Sequence, residues 1–376
     1  MSRSFWNSLV ALGAVSSAAF GGPINPPAGP VAPTPGPEPR TAINSVNTPG
    51  DNDGTPSLFK ITQPGSYYLV GNITGVSGKH GIEISASGVT LDLNGFDLLG
   101  VAGTQSGVFT SAGAQTNIAV KNGSVRNWGE TGVSLTFSSA RNCRVDSVRS
   151  SGNGNVGISV NDGGAITNCS AFANAATGIG TGSGCVITAC TAHENGSAGF
   201  SPGGGATVSN CSANNNVASG FSLGGGGTIT NCDARSNGGD GIFVGSASIV
   251  ADCSASYNTR NGIQCSGEGS VIRGNTSSYN GLNAGDGAGI VINSVNNRIE
   301  GNSCNDNDRG IELDTFAVDN LIIRNSCADN TTNWVIFAGN IYGPIIDRTS
   351  GSFPAVSGNA AAGTLGSTDA NANYTY

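Results

Sequence analysis

Charged side chains are concentrated in one part of this 376-residue sequence, residues 262–330, whereas residues 157–260 carry few charges among Ser, Thr, Asn and Gly. The charged residues of this part are Glu268, Arg273, Asp286, Arg298, Glu300, Asp306, Asp308, Arg309, Glu312, Asp314, Arg324 and Asp329. Clustered carboxylates bind calcium through roughly six to eight oxygen ligands, and arginines bind carboxylate groups. The part is therefore a candidate carbohydrate or calcium site. The alternative is a ladder of surface ion pairs that keeps these residues solvated.

The spacing of these residues divides them into three groups. The first group aligns in one outward column and is the candidate for catalysis: Arg273, Glu300 and Arg324. The second lies on or just beyond another strand and is the candidate for substrate binding: Glu312, Asp314 and Arg309. The third lies in or near the glycine-rich segment 281–288 and is the candidate for calcium: Asp286, Asp306 and Asp308. No other cofactor is predicted.

Two further charged groups are weaker candidates. His193 and Glu194 are adjacent, so on a strand they point in different directions, which argues against a catalytic dyad. An N-terminal group could bind a sugar carboxylate or simply solvate its own strands, and it consists of Arg141, Arg144, Asp146 and Arg149.

A 21-residue period positions all of these side chains. It is marked by three residue types that return in phase, and each glycine is followed by a large apolar residue. The glycines are Gly157, Gly178, Gly199, Gly220, Gly241 and Gly262; the cysteines are Cys169, Cys190, Cys211, Cys232 and Cys253; the asparagines are Asn174, Asn195, Asn216, Asn237 and Asn258. A fixed period of this length indicates stacked units that cannot bury their apolar faces alone.

The repeated units are predicted to be strands. Apolar and small polar residues alternate, as in residues 157–160 and 165–171, and 60 glycines would destabilise helices. We expect three short strands per coil, with the residue after each glycine, the cysteines and the alanines two positions after them pointing inward. Coils of 25 and 27 residues should accommodate their extra residues as outward loops. The asparagines should form a hydrogen-bonded ladder.

The ten cysteines are predicted to be buried free thiols. Stacked strands keep equivalent Cβ atoms ~4.8 Å apart, whereas a disulfide prefers ~3.8 Å. No pair has the Cys-x-x-Cys spacing of a metal site.

The ends of the chain differ from the repeats. Residues 1–19 are predicted to be a signal peptide, 20–44 a proline-rich tether, 45–80 an N-terminal cap, 81–332 the repeats, and 333–376 a C-terminal cap with a tail that does not pack after Ser357. The mature protein is expected to be secreted or located in the cell envelope. No segment is long enough to span a membrane, and a net charge of −8 disfavours nucleic acid.

The recurring Asn-Cys-Ser-Ala…Asn…Gly-Ile/Phe unit of residues 168–179 and 210–221, with segments 298–303 and 321–326, resembles the right-handed parallel β-helix superfamily. This superfamily comprises the pectate-lyase-like fold and bacterial β-helix repeat proteins. The resemblance covers residues 81–332. It implies an all-β fold: a single right-handed parallel β-helix, a solenoid of about 21 residues per coil with N- and C-terminal caps.

The resemblance is less specific for activity, because relatives include polysaccharide lyases, pectin hydrolases, alginate epimerases, copper-handling proteins and non-catalytic surface proteins. The Asp-Pro-His-Asp motif of the epimerases is missing, and His80, His193 and Met1 are too few for a copper site. The leading hypothesis is an exported, non-catalytic rod that contacts a glycan or a surface or matrix component. The alternative is a lyase or hydrolase acting on an acidic polysaccharide.

Overall fold

The computed structural model describes residues 40–111, 113–136, 140–281, 287–347 and 368–376. The predicted signal peptide and most of the predicted tether, to residue 39, lie outside these residues. Within the described ranges the regular structure consists of strands, with no helix. The strands form two parallel sheets, one of 13 strands and one of 26. A solenoid of about 13 coils results, averaging about 23 residues per coil.

The 13-stranded sheet contains one strand from each coil. Its strands, in order, are Ser57–Ile61, His80–Ile84, Val108–Thr110, Val133–Leu135, Ile158–Val160, Ile179–Thr181, Phe200–Pro202, Phe221–Leu223, Ile242–Val244, Ile263–Cys265, Ala288–Ile292, Arg309–Leu313 and Thr332–Val335. The first of them lies in the predicted cap, residues 45–80, and already pairs in parallel with the second.

The 26-stranded sheet has two limbs joined by a sharp turn in each coil. The strands of the first limb are Thr41–Ala42, Gly65–Tyr68, Val89–Asp92, Ala119–Arg126, Arg144–Ser151, Ala165–Thr167, Val186–Thr188, Thr207–Ser209, Thr228–Thr230, Ile249–Ala251, Val271–Arg273, Arg298–Glu300, Leu321–Ile323 and Ile341–Tyr342. Those of the second are Ile73–Thr74, Asp97–Leu99, Ser170–Phe172, Thr191–His193, Ser212–Asn214, Asp233–Arg235, Ser254–Ser256, Thr276–Ser278, Ser303–Asn305, Ser326–Ala328, Ile345–Asp347 and Asn373–Thr375. Ala119–Arg126 and Arg144–Ser151 run through both limbs.

The core lies between the sheets and follows the predicted columns. The residues after the repeat glycines, from Ile158 to Ile311, and the alanines from Ala171 to Ala255 have no exposed surface. The register skips 25 residues from Val133 to Ile158, and longer spacings occur again after Ile263. The period therefore stretches only where loops leave the core, as predicted.

The turn between the limbs requires a left-handed residue in each coil. Asn168, Asn210, Asn231 and Asp252 all have φ between 52° and 56°. Ala189, the exception in the sequence, adopts the same conformation, with φ 53°. The fold therefore imposes this conformation even on a residue that does not favour it.

The predicted asparagine ladder is present. The side chain of Asn216 accepts hydrogen bonds from the backbone N–H and the amide of Asn195, and its own amide donates to Asn237 Oδ1 at 3.0 Å. The same pattern continues from coil to coil between Asn153 and Asn330. Each amide is buried, so the ladder satisfies its own polar groups.

The cysteine column forms a second ladder in the turn between the limbs. Cys169 donates its backbone N–H to Cys190 Sγ at 3.4 Å, and the Cys190 thiol donates to the backbone oxygen of Ile166 at 3.6 Å. Beyond Cys253 the place of the thiol is taken by asparagine side chains, beginning with Asn275. All ten cysteines are free and buried, as predicted.

The C-terminal residues pack against the solenoid. Strand Asn373–Thr375 lies between Ser326–Ala328 and Ile345–Asp347, and Asn373 has no exposed surface. Its side chain accepts the backbone N–H of Asn325 at 2.9 Å and so extends the second ladder. The prediction that the tail after Ser357 does not pack is therefore wrong for these residues, because a short asparagine-containing segment can still complete a ladder.

Candidate functional site

The predicted catalytic column is an ion-pair ladder on the first limb of the 26-stranded sheet. Arg273 and Glu300 are paired in register, and Arg324 lies one residue past the register, at the turn. Glu300 Oε1 accepts from Arg324 Nη1 at 2.8 Å, and Glu300 Oε2 accepts from Arg298 Nε at 2.6 Å. The neighbouring arginines, Arg298 first, lower the pKa of Glu300. Both oxygens of this carboxylate are therefore engaged by the protein itself.

The predicted substrate-binding residues lie on a different face, at the 13-stranded sheet. Arg309 Nη1 donates to Glu312 Oε1 at 2.8 Å, and Arg309 Nε is 3.8 Å from Asp308 Oδ2. Asp314 follows this strand and accepts a hydrogen bond from Thr315. The fold does not bring these residues together with the column that contains Arg273.

The predicted calcium ligands are also separated. Asp286 lies outside the described residues. Asp306 is at a left-handed turn beside Tyr279, and Asp308 is beside Arg309. Across the described part of the chain, neither joins two other acidic, histidine or cysteine ligands within 4.8 Å.

The remaining charged candidates are surface pairs. His193 Nε2 lies 2.9 Å from Glu194 Oε1, and the His193 ring stacks on Phe172. Arg144 Nη2 is 3.8 Å from Asp146 Oδ1. All of these side chains are substantially exposed, an arrangement that solvates the rod.

The structure reveals a different candidate site, a shallow polar trough on the outer face of the 13-stranded sheet. It consists of two cavities of about 350 Å³ each that share Thr136. The first is lined by Thr55, His80, Ser106, Phe109, Thr110, Glu130, Thr131, Ser134, Thr136 and Asn155. The second is lined by Thr136, Val156, Ser159, Val160, Asn161, Thr177, Gly180, Thr181, Gly182 and Ser201. A larger groove, of about 620 Å³, follows the turns beside Cys211 and Cys232 but contains no histidine.

The floor of the trough is a row of small residues in register. Ser134, Ser159, Gly180 and Ser201 pair in sequence along the sheet. Neighbouring strands lie ~4.8 Å apart, so the row presents a hydroxyl or a gap at each step along the rod. More than half of the residues that line the trough carry a hydroxyl group, which can donate and accept hydrogen bonds.

One end of the trough contains its titratable groups. His80 stacks on Phe109 with ring centroids 3.8 Å apart, and His80 Nδ1 accepts the backbone N–H of Ser106 at 3.1 Å. Burial lowers the pKa of His80, so the imidazole is neutral with its proton on Nε2. The Ser106 hydroxyl donates to Glu130 Oε2 at 3.0 Å, and Glu130 is exposed at the mouth.

A cluster beside this end closes the first coil. Lys60 Nζ is 2.6 Å from Asp51 Oδ2, 2.9 Å from Asp53 Oδ2 and 2.9 Å from Glu83 Oε1. Glu83 has no exposed surface. The three carboxylates are close enough to bind a metal ion, but the Lys60 ammonium group already occupies the position between them. The cluster fixes residues 51–60 to the rod.

The trough was missed in the sequence because attention went to charge. Its floor residues stand two positions after the glycines, so Ser159, Gly180 and Ser201 are a visible column of small residues. His80 and Glu130 are 50 residues apart and lie before the strict repeats, so no spacing connects them. Their proximity depends on coil stacking.

Comparison with known proteins agrees with this architecture. Residues 201–359 match the family model described as a right handed beta helix region. The chain is a right-handed parallel β-helix. No curated protein matches the sequence of this β-helix. No helix among its described residues is long and apolar enough to cross a membrane.

Two solved structures resemble the β-helix in fold. The A-module of the Azotobacter vinelandii mannuronan C-5 epimerase AlgE4 matches with a TM-score of 0.54 and 16% identity, over 81% of this chain and 88% of the module. The tailspike of E. coli bacteriophage HK620, in complex with a pentasaccharide, matches with a TM-score of 0.50 and 12% identity, over 70% of this chain and 60% of the tailspike. At these identities the likeness concerns the fold alone.

Proposed function

We propose that this β-helix is an exported rod that binds a glycan chain in the trough and does not act on it chemically. The observation that carries the proposal is the row of Ser134, Ser159, Gly180 and Ser201, which forms an open, hydroxyl-lined channel across five coils. A linear polymer with repeated hydroxyl groups matches such a surface, because each sugar can exchange hydrogen bonds with the floor.

The comparisons support a saccharide as the ligand. One similar structure is named an epimerase of mannuronan, and the other is a tailspike solved with a pentasaccharide. The fold is therefore compatible with glycan binding in proteins of this shape, while the residues of the present trough must carry the recognition.

Export is part of the same proposal. The predicted signal peptide, residues 1–19, and the tether, residues 20–44, would place the rod outside the cytoplasm, secreted or in the cell envelope. There it would meet cell-surface or matrix polysaccharides. Secretion assays on the full chain, with and without residues 1–19, test this part separately.

Affinity electrophoresis through gels containing single polysaccharides tests binding. We expect retardation by at least one glycan, and loss of retardation in Ser159→Trp, whose indole would fill the floor of the trough. Thr207→Trp, at an exposed position on the other sheet, is the matched control and should retain binding. No retardation by any polysaccharide, or equal retardation of both variants, would overturn the proposal.

A second candidate function, glycan hydrolysis or lyase chemistry, is favoured by one observation. Glu130 is an exposed carboxylate at the mouth of the trough, hydrogen-bonded to Ser106 beside His80. Such a carboxylate can act as a general base or acid. Release of reducing or unsaturated ends that is abolished in Glu130→Gln would establish it. Binding without product formation would leave the non-catalytic rod as the function.

A further inference from the structure

The charge of the trough restricts the glycan it can bind. Among the residues that line it, Glu130 carries a formal charge, His80 is neutral, and no lysine or arginine is present. Asp162, next to the lining residue Asn161, adds another carboxylate. The lining therefore offers hydroxyls, amides and acids, but no cationic partner for an anion.

The nearest lysines do not supply that partner. Lys60 Nζ is enclosed by Asp51, Asp53 and Glu83. Lys79 Nζ donates to the backbone oxygen of Asp51 at 3.0 Å. Both ammonium groups are therefore directed toward the cluster that closes the first coil.

A polyuronate has a carboxylate on every sugar and would place these anions along the trough. Each would lose water without gaining an ion pair, and the one near the mouth would face Glu130. An uncharged sugar avoids both costs. Its hydroxyls can donate to Glu130 and exchange hydrogen bonds with Ser134, Ser159 and Asn155.

We infer that the trough selects an uncharged glycan and rejects polyuronates. This inference rests on the proposed function, since it specifies the ligand of the same site. It also opposes the acidic-polysaccharide hypothesis suggested by the charged residues near the C-terminus, whose carboxylates and arginines pair with each other on other faces.

Calorimetric titration with defined hexasaccharides tests the inference. The probes are neutral hexamers of glucose, mannose and galactose, and acidic hexamers of galacturonate and mannuronate. We expect a neutral hexamer to bind the wild-type protein, and the acidic hexamers to bind at least about tenfold more weakly. Both classes are measured at the same ionic strength, because screening weakens electrostatic discrimination.

Charge variants make the test specific to the trough. Ser159→Arg adds a cation to the floor and should give binding of the acidic hexamers. Thr207→Arg adds the same charge on the other sheet and should not. Glu130→Gln removes the repelling carboxylate and should strengthen acidic binding, whereas Glu194→Gln, at a distant surface pair, is its control.

The outcomes separate the two claims. If acidic hexamers bind the wild-type protein as well as neutral ones, and Ser159→Trp abolishes that binding, the inference is overturned while the glycan-binding function stands. If no hexamer of either class binds, and no polysaccharide retards the protein, the proposed function itself fails and the inference with it.

Discussion

Asn216 lies in the middle of the asparagine ladder, and its replacement by alanine tests how that ladder stabilises the coils. Its side chain takes part in four hydrogen bonds. It accepts from the backbone N–H of Asn195 at 3.1 Å and from the Asn195 amide at 2.9 Å. It donates to the backbone oxygen of Ala192 at 3.1 Å and to Asn237 Oδ1 at 3.0 Å.

The expected loss follows from these contacts. Asn195 and Asn216 are at most 2% exposed, so water cannot readily replace the missing partner. A hydrogen bond contributes about 1 kcal/mol net, and a buried group left without a partner costs about as much or more. Asn216→Ala should therefore lower the free energy of unfolding by about 4 kcal/mol, a large effect for one substitution.

Urea unfolding followed by circular dichroism measures the effect, with hydrogen exchange to locate it. Exchange should increase first in the coils on either side of Asn216, since each coil of a solenoid contacts only its neighbours. Asn214→Ala is the matched control, because this side chain in the same coil donates only to Ser212 Oγ within the described structure. A loss below about 1 kcal/mol for Asn216→Ala, or equal losses for both variants, would refute the reasoning.

Three further predictions concern other groups. Lys60→Met leaves the buried Glu83 carboxylate without its ammonium partner and should cost about 3 kcal/mol, most of it recovered in the double variant with Glu83→Gln; equal losses in both would contradict this in urea unfolding. None of the ten cysteines should react with a thiol reagent in the native protein, whereas all should react in urea; rapid native labelling would show that the columns are open. Because the folded pKa of His80 lies below the model value of 6.5, protonation favours the unfolded chain, so stability should fall as the pH decreases from about 6.5; His80→Gln should lose this dependence, and an unchanged profile would contradict it.

Much of the fold could be predicted because the repeat exposes it. Each inward position recurs in phase, so Ile158, Cys169 and Ala171 identify their columns without knowledge of the coordinates, and all three are buried. The turn at Asn168 could be predicted for the same reason, since asparagine tolerates positive φ. These features depend on local geometry repeated from coil to coil.

The candidate site was harder to predict because it depends on contacts between coils outside the strict repeats. Charge density drew attention to Glu300 and Arg324, but in the structure they pair with each other. Nothing in the spacing of His80 and Glu130 indicates that Ser106 connects them. Likewise, the pairing of Asn373 with Asn325 joins residues 48 positions apart, and no repeat announces it.

A crystal structure of the protein with a bound neutral hexasaccharide would test the central claim most directly. The account predicts sugar density along the trough, with hydroxyl groups within hydrogen-bond distance of Ser134, Ser159 and Glu130, and no comparable density in crystals soaked with hexagalacturonate. Density for either oligosaccharide over Arg298, Glu300 and Arg324, with the trough empty, would contradict it.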